Sequence, residues 1–220
     1  MGARIVMSFY FTPNMPNAYL VSLPYRNKFL NVSDIVFDIE GGYNSSNKIN
    51  RVGLWYPEYQ AFSMYSFKQS LGAWVGINWA VDSGTPSSSG IYINITSTAS
   101  AFTWTVAGVD KNTGLIINRY ANQPNDNPRQ IPYTSKYKKA SDIVKEIEGG
   151  TGEGTNTKII KLGLWHRDAQ AYSFYRYSSS IGAWVGIDFD IKPGDIINIY
   201  PSSSISSFTW TPSLVVTPEP

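Results

Sequence analysis

Carboxylates at short spacing are the residues in this 220-residue chain that could carry out hydrolytic chemistry. Two groups of three recur 108 residues apart, each within a short predicted helix: Asp34, Asp38 and Glu40, then Asp142, Glu146 and Glu148. Paired carboxylates serve as acid and base or nucleophile in glycoside hydrolysis. Helix capping and solvation explain acidic residues at these places equally well. We therefore assign no catalytic residue and predict that the protein is not an enzyme.

Other reactive or metal-binding side chains occur once or not at all. The chain has no cysteine, which excludes a disulfide, a thiol nucleophile and a zinc–thiolate site. Its one histidine, His166, lies in a predicted turn, where an exposed polar role is the simplest interpretation. Asp188 and Asp190 share a strand face and, with loop carbonyls, could bind calcium. Because the duplicate segment carries Asn78 and Ala80 there, we predict no metal and no cofactor.

Aromatic side chains are far more numerous, with 15 Tyr, 10 Phe and 7 Trp, and their faces suit stacking on sugar rings. Alternation along the predicted strands Ala61–Phe67 and Ala171–Tyr177 makes both faces of each strand aromatic. Only one face can meet the domain's own core, so the other must meet solvent, the neighbouring domain, a partner or a ligand.

We predict ligand binding on the face that carries Tyr65 and Phe67 in one strand and Tyr175 and Tyr177 in the other. The opposite face carries Phe62, Met64 and Ser66 in one strand, and Tyr172, Phe174 and Arg176 in the other. Trp74 and Trp184 are further candidates, because the glycines beside them indicate exposure near a turn. For every tryptophan, a role in the core is the alternative.

The whole chain consists of one module present twice. Ser33–Gly42 (SDIVFDIEGG) returns as Ser141–Gly150 (SDIVKEIEGG), and GAWVGI and FTWT each occur in both halves. We predict two similar domains in tandem, residues 1–108 and 109–220, joined near Val106–Thr113. Residues kept in both copies are candidates for the fold or for a site present twice, whereas residues that differ belong to free surface or to a site built once.

Each copy has one helix pattern followed by strands. Ser33 and Ser141 are N-cap residue types, apolar residues follow at helical spacing, and a Gly-Gly pair ends each pattern, which predicts helices near residues 33–41 and 141–149. The strands predicted in the first copy are Arg51–Trp55, Gln60–Phe67, Ala73–Trp79, Gly90–Thr96 and Ala101–Thr105. The predicted fold is mainly β: two tandem similar domains, each a small, mostly antiparallel sheet or barrel with one short α-helix.

Composition narrows the class of partner. The chain is 42% hydrophobic and 15% charged with a net charge of +2, which excludes a disordered chain and gives no electrostatic case for nucleic acid or an anionic membrane. No apolar run is long enough to span a membrane. The N-terminus lacks the features of a signal peptide, so an exported parent would carry its signal outside this sequence.

The order of motifs resembles the repeat of secreted and cell-surface proteins of bacteria and archaea that is written around GWNLISLPY and G-x-x-F-x-I-x-P-G-x-x-Y. Asn17–Tyr25 (NAYLVSLPY) matches its opening, and Gly186–Gly194 (GIDFDIKPG) with Thr209–Pro212 (TWTP) matches its later half. The opening Gly-Trp is absent from both copies, and Val81–Gly84 (VDSG) replaces the Pro-Gly turn in the first. The resemblance covers nearly the whole chain and implies an extracellular or cell-surface, non-catalytic module without catalytic residues.

Two functions of different class remain open. The first is an extracellular module that binds a polysaccharide or surface glycan through exposed aromatic side chains. The second is a structural subunit or spacer of a cell-surface layer, filament or sheath, in which the aromatic strips mediate self-association or contacts with other surface proteins. In that case, the N-terminal strand Arg4–Phe11 could pair with a neighbouring sheet edge. A polysaccharide-active enzyme would need a carboxylate pair that the sequence does not single out.

Overall fold

A computed structural model describes residues 2–81, 90–109, 114–150, 155–166 and 168–214. The predicted interdomain joint lies outside these ranges beyond Val109. The Ser-rich composition of Ser87–Ser89 predicts a loop, and Leu214–Pro220 (LVVTPEP) resembles the start of a Pro-containing linker; the first segment and all but Leu214 of the second also lie outside the described residues. The predicted boundary between residues 108 and 109 lies beside this joint and stays a prediction.

The chain forms two compact units. The first unit comprises Met1–Tyr56, Ala61–Asp110 and Arg167–Gln170, and the second comprises Pro57–Gln60, Lys111–His166 and Ala171–Pro220. The elements of the first half are β1 Gly2–Phe9, β2 Ala18–Val21, α1 Val32–Glu40, β3 Ile49–Tyr56, β4 Ala61–Lys68, β5 Ala73–Gly76, β6 Ile91–Ile95 and β7 Phe102–Val109. Those of the second half are β8 Leu115–Ile117, β9 Asn127–Gln130, α2 Ala140–Glu148, β10 Ile159–His166, β11 Ala171–Ser178, β12 Ala183–Gly186, β13 Ile196–Pro201 and β14 Phe208–Trp210.

The two units have the same topology. Each has a five-stranded antiparallel sheet, with strand order β2-β6-β3-β4-β5 in the first unit and β9-β13-β10-β11-β12 in the second. A separate two-stranded ribbon, β1-β7 or β8-β14, completes each unit, so the N-terminal strand pairs inside its own unit. The predicted fold class, mainly β with two similar small domains that each carry one short helix, is confirmed.

The strand predicted at Ala73–Trp79 is wrong in length, because β5 ends at Gly76. Gly76 has a φ of 123°, which an L side chain rarely adopts, and a Cβ there would lie 2.3 Å from the backbone oxygen of Met64. Gly186 repeats the arrangement at the end of β12, with a φ of 101°. Only glycine allows the chain to turn so closely against the neighbouring strand, which explains why GAWVGI ends as it does in both copies.

The N-cap of each helix lies two residues before the predicted N-cap serine. The N-cap residues are Asn31 and Lys139, and each helix ends at a glycine in the left-handed conformation. The Asp34 carboxylate accepts the backbone N–H groups of Leu30 and Asn31 at 2.8 and 2.9 Å. Asp34, at position N3, thus satisfies two backbone donors that a serine at the N-cap would not bond. Ser33 lies inside the first turn instead, as does Ser141.

The helix of each unit covers the inner face of its five-stranded sheet. In the first unit, Ile35 and Ile39 pack with Val52 and Ile93 of the sheet in one cluster whose members are almost fully buried. The second unit repeats the cluster with residues at equivalent positions. Burial of several such side chains, each worth about 1.5–3 kcal/mol, is the main source of stability for units of this size. Among the described residues, neither helix is long and apolar enough to cross a membrane.

The interiors differ where the two edge strands β2 and β9 meet the core. Arg129 occupies the position of Val21 and is only 3% exposed. Its Nε–H group donates to the carbonyl oxygen of Ile116 at 3.0 Å and its Nη1 to that of Pro128 at 2.8 Å. Backbone oxygens of β8 and β9 therefore solvate a buried guanidinium that the first unit replaces with an aliphatic side chain.

Candidate functional site

The six helix carboxylates bind groups of their own domain. Glu40 accepts the backbone N–H groups of Asn47, Lys48 and Ile49 at 2.6–2.8 Å, and Glu148 does the same for residues 157–159. Each of these glutamates thereby fixes the loop that leads into the central strand β3 or β10. Because three donors converge on one carboxylate, its removal would leave three backbone N–H groups without this partner.

The middle carboxylate of each helix ties the helix to the two-stranded ribbon. The indole N–H of Trp104 donates to Asp38 at 2.8 Å, and that of Trp210 donates to Glu146 at 3.1 Å. Tyr137 also donates to Glu146. Burial raises the pKa of Glu146, but hydrogen bonds from Tyr137, Ser213 and Trp210 outweigh it, so the pKa lies below its usual value. These contacts give the carboxylates positions in the scaffold.

Asp188 and Asp190 are engaged with protein donors. The two carboxylate oxygens of Asp188 accept the N–H and the hydroxyl of Ser141 at 2.8 and 2.9 Å, while Asp190 pairs with the Lys139 ammonium at 3.0 Å. In the first unit, Asn78 takes the place of Asp188. Its side-chain oxygen accepts the backbone N–H of Ser33, and its amide nitrogen donates to the Ser33 hydroxyl. Within the described ranges, no cluster of three or more His, Cys, Asp or Glu side chains forms a metal site.

The predicted ligand-binding face of β4 and β11 points towards the core. Tyr65 lies opposite Val52 and Tyr175 opposite Leu162, both fully buried, so these tyrosines share the inner face of their sheets. Phe67 and Tyr177 follow two residues later on the same face. All four rings are half-buried and pack against the hydrophobic cores. The prediction that this is the exposed face is therefore wrong, although ligand binding by these residues stays untested.

Trp74 and Trp184 are not exposed near their turns, which corrects the prediction from their flanking glycines. Each indole is 8% exposed and contacts the tyrosine of the inner face, with ring centroids 5.6 Å apart for Tyr65 and 5.4 Å for Tyr175. Each Nε1–H donates at 2.8 Å to a backbone carbonyl that lies 29 residues earlier, at Ser45 or Thr155. The glycines give the strand its turn, and the tryptophan closes the core beneath it.

The outer face of the second unit carries an accessible aromatic surface. Tyr172 and Phe174 on β11 are 38% and 37% exposed, and their rings stack at 5.6 Å with an interplanar angle of 16°. Trp165 on β10 meets Tyr172 edge-on at 5.1 Å. Gly163 lies beneath Phe174, since a Cβ there would come within 2.9 Å of the ring. Because Gly163 has no side chain, the stacked rings of Tyr172 and Phe174, here called the aromatic ledge, lie close on the sheet.

A lysine continues this ledge across the sheet. The Lys161 ammonium lies 3.6 Å from the ring centroid of Tyr200 and 4.7 Å from that of Phe174, both within cation–π range. Burial lowers the pKa of Lys161, Asp126 raises it and Arg176 lowers it, so the pKa lies below its usual value. Burial and a hydrogen bond to the Asp126 carboxylate raise the pKa of Tyr200 above its usual value.

An open cavity of about 440 Å³ lies beside this lysine. Its lining includes the aromatic ring of Tyr200. The charged and polar side chains around that ring are those of Arg119, Asn125, Asp126, Lys161 and Ser203. Next to it, the Asn198 side chain is more than nine-tenths buried and donates to Asp126 at 3.3 Å, while its own amide oxygen has no hydrogen-bond partner. Convergent polar groups around a concave surface next to exposed rings are the usual features of a small-ligand site.

The first unit does not reproduce this site. Register places Arg51 at the position of Lys161 and Asn94 at the position of Tyr200, while Ala18 stands where the second unit has Asp126. The Asn94 amide donates instead to the carbonyl oxygen of Pro16 at 2.8 Å. The outer face of β4 carries Phe62 and Met64, and both are less exposed than their counterparts. The cavity and its lysine therefore belong to a site built once.

Sequence reasoning named Tyr172, Phe174 and Arg176 only as the opposite face, and it missed Asp126, Lys161 and Tyr200. A sharper signal was present in β10, where Leu162 and Leu164 alternate with Gly163 and Trp165. The hairpin register between Trp165 and Tyr172 then assigns the outer face of β11.

Comparison with protein families, with curated proteins and with solved structures finds no match to this chain. The resemblance to the repeat of secreted and cell-surface proteins therefore stays a prediction.

Proposed function

We propose that the protein is a non-catalytic extracellular module that binds a carbohydrate on the outer sheet face of its second unit. The observation that carries the proposal is the exposed, nearly parallel ring pair Tyr172 and Phe174 beside the polar cavity at Asp126 and Lys161. A sugar ring offers an apolar C–H face to the aromatic ledge, and its hydroxyl groups suit the carboxylate and amides at the cavity.

The proposed site differs from the six aromatic residues predicted from the sequence. A ligand cannot stack on Trp74 or Trp184 without unpacking the cores, because both indoles are buried and hydrogen-bonded. Tyr172 and Phe174, by contrast, lie on the same strand as Tyr175 but present more of their surface to solvent. Aromatic stacking is therefore still the proposed mode of carbohydrate recognition, but the rings that carry it lie on the opposite face of the strand.

A glycan array, followed by affinity electrophoresis against soluble polysaccharides, tests the proposal. We expect binding to at least one glycan, lost in the double variant Tyr172→Ala/Phe174→Ala. The matched variant Phe62→Ala/Met64→Ala alters the equivalent face of the first unit and should retain binding. Absence of binding to any glycan, or equal loss in both variants with unchanged thermal melting, would reject the site.

The alternative function, a structural subunit of a cell-surface assembly, is favoured by a different observation. Each unit exposes two aliphatic side chains around its short edge strand: Leu71 and Ile77 beside β5, and Ile181 and Ile187 beside β12, all 60–69% exposed. An edge strand flanked by apolar side chains is suited to pairing with another sheet. Sedimentation at high protein concentration tests it, because association that Leu71→Asp and Ile181→Asp abolish would support assembly over glycan binding.

A further inference from the structure

The charges at the cavity indicate which sugars it suits. Arg119 and Lys161 both line it, whereas Asp126 is its only acidic residue among the described lining. The Asp126 carboxylate accepts hydrogen bonds from Tyr200 and Asn198, which hold it in place on the protein side. The cavity therefore has a cationic excess in a partly buried setting, where an anion gains more than it would in open solvent.

The Lys161 ammonium is held where a ligand can reach it. The rings of Tyr200 and Phe174 lie beside it and exclude bulk water from that side, but neither ring carries a formal negative charge. Burial is the main cause of the lowered pKa of Lys161, Asp126 opposes it, and Arg176 adds a second positive charge nearby that lowers the pKa further. An incoming anion would offset this repulsion and form a charge-assisted hydrogen bond with the ammonium.

Resting on the proposed function, we infer that the ligand is an acidic saccharide, whose carboxylate or sulfate group meets Lys161 and Arg119 while its ring stacks on Tyr172 and Phe174. The Asp126 carboxylate, which lines the cavity, is an acceptor for hydroxyl groups of the same sugar. The first unit carries Arg51 but neither an acidic partner nor the aromatic ledge, so we expect one binding site per chain.

The test compares an acidic panel with a neutral one by isothermal titration calorimetry at two salt concentrations. Oligogalacturonate carries carboxylates, a heparin oligosaccharide carries sulfates as well as carboxylates, and cello-, manno- and xylo-oligosaccharides are neutral. We expect one or both acidic ligands to bind with a stoichiometry of one and to weaken severalfold between about 20 and 200 mM NaCl, because exposed charge pairs are screened at this range. Binding of oligogalacturonate would show that a carboxylate suffices, whereas binding of the heparin oligosaccharide alone would indicate a requirement for sulfate.

Variants localise the anion. Lys161→Met keeps an unbranched side chain between the rings and removes the charge, and we expect acidic-ligand affinity to fall about tenfold. Arg119→Gln should also weaken binding, whereas Arg51→Met in the first unit should leave affinity unchanged. Circular dichroism and thermal melting establish that Lys161→Met is folded, and Lys161→Arg, which restores the charge, should recover most of the affinity.

The outcomes separate the inference from the function on which it rests. Equal, salt-independent affinity for neutral and acidic oligosaccharides would overturn the acidic specificity and leave carbohydrate binding standing. Binding of acidic ligands that Arg51→Met weakens as much as Lys161→Met would also overturn it. No binding of any saccharide would reject the proposed function itself.

Discussion

The ammonium of Lys161 lies 3.6 Å from the ring centroid of Tyr200, inside the distance at which an aromatic face attracts a cation. The lysine is on β10 and the tyrosine on β13, which are neighbours in the sheet. Tyr200 in turn donates a hydrogen bond to the carboxylate of Asp126, which immediately precedes β9. Three segments of the chain thus converge on one charged group at the mouth of the cavity.

The pKa of Lys161 should respond in opposite directions to its two charged neighbours. Arg176→Ser, which introduces the residue found in the first unit, removes a like charge and should raise the lysine pKa towards its usual value. Asp126→Asn removes the favourable charge and should lower it further. A ¹³C NMR titration of the reductively methylated lysines measures both shifts, with Lys161→Arg identifying the resonance. Shifts of the same sign, or none, would contradict the arrangement.

Gly163→Ala and Gly53→Ala form a matched pair. A Cβ at Gly163 would come within 2.9 Å of the Phe174 ring, and one at Gly53 within 2.7 Å of the Met64 sulfur. The thioether can move aside at low cost, but the stacked ring must leave its position. We expect Gly163→Ala to destabilise the protein by about 1–3 kcal/mol in urea unfolding and Gly53→Ala by less than half as much. Equal losses would show that the ring is free to move.

Stability should depend on pH through Glu146. Its folded-state pKa lies below the usual value near 4.5, so its contribution is fully present above that value and is lost as pH falls through the folded-state pKa. Glu146→Gln keeps an acceptor but carries no titrating charge. We therefore expect the deficit of this variant in unfolding free energy at pH 7 to shrink as the pH is lowered from about 5 to 3.

Urea unfolding at several pH values measures the effect of Glu146. The control is Glu58→Gln, in an exposed turn, which we expect to stay within about 0.5 kcal/mol of the wild type at pH 7. A Glu146→Gln deficit that stays constant from pH 7 to 3 would mean that the Tyr137 and Trp210 hydrogen bonds do not stabilise the charged form.

Arg129 should matter for stability far more than the exposed arginine of the same domain. Arg129→Met preserves much of the side-chain length but leaves the carbonyl groups of Ile116 and Pro128 without their guanidinium donor. We expect a loss of about 2–4 kcal/mol, since buried acceptors then lack a partner. Arg176→Met, on the outer face, should change stability by no more than about 0.5 kcal/mol. Similar stability of the two variants in urea unfolding would contradict this role.

Much of the fold could be predicted because the same local sequence patterns occur in both copies of the module. The helix positions, the strand order along the chain and the glycine turns follow from apolar spacing and turn residues that occur twice. The Ser33 N-cap was predicted wrongly because Asp34 performs the capping from inside the first turn, through hydrogen bonds to Leu30 and Asn31. Residue type alone does not show which residue occupies the N-cap position.

The candidate site depended on information that local patterns do not contain. Alternation shows that β11 has two aromatic faces, but only its pairing with β10 reveals that Tyr175 lies beside buried Leu162. The contact between Asp126 and Tyr200 joins residues 74 positions apart, and no spacing rule connects them. Comparison of the two copies does distinguish both residues, since neither has an equivalent in the first unit.

The exchange of Val21 for Arg129 bears on how a chain with two similar halves avoids misassembly. Similar neighbouring domains can swap equivalent strands while they fold. If β2 took the place of β9, Val21 would bring no donor to the Ile116 carbonyl, and Arg129 would enter the apolar cluster that Val21 normally fills. Each wrong pairing would bury an unsatisfied polar group, whereas each correct one does not. The divergence inside the two cores therefore encodes which sheet each edge strand joins.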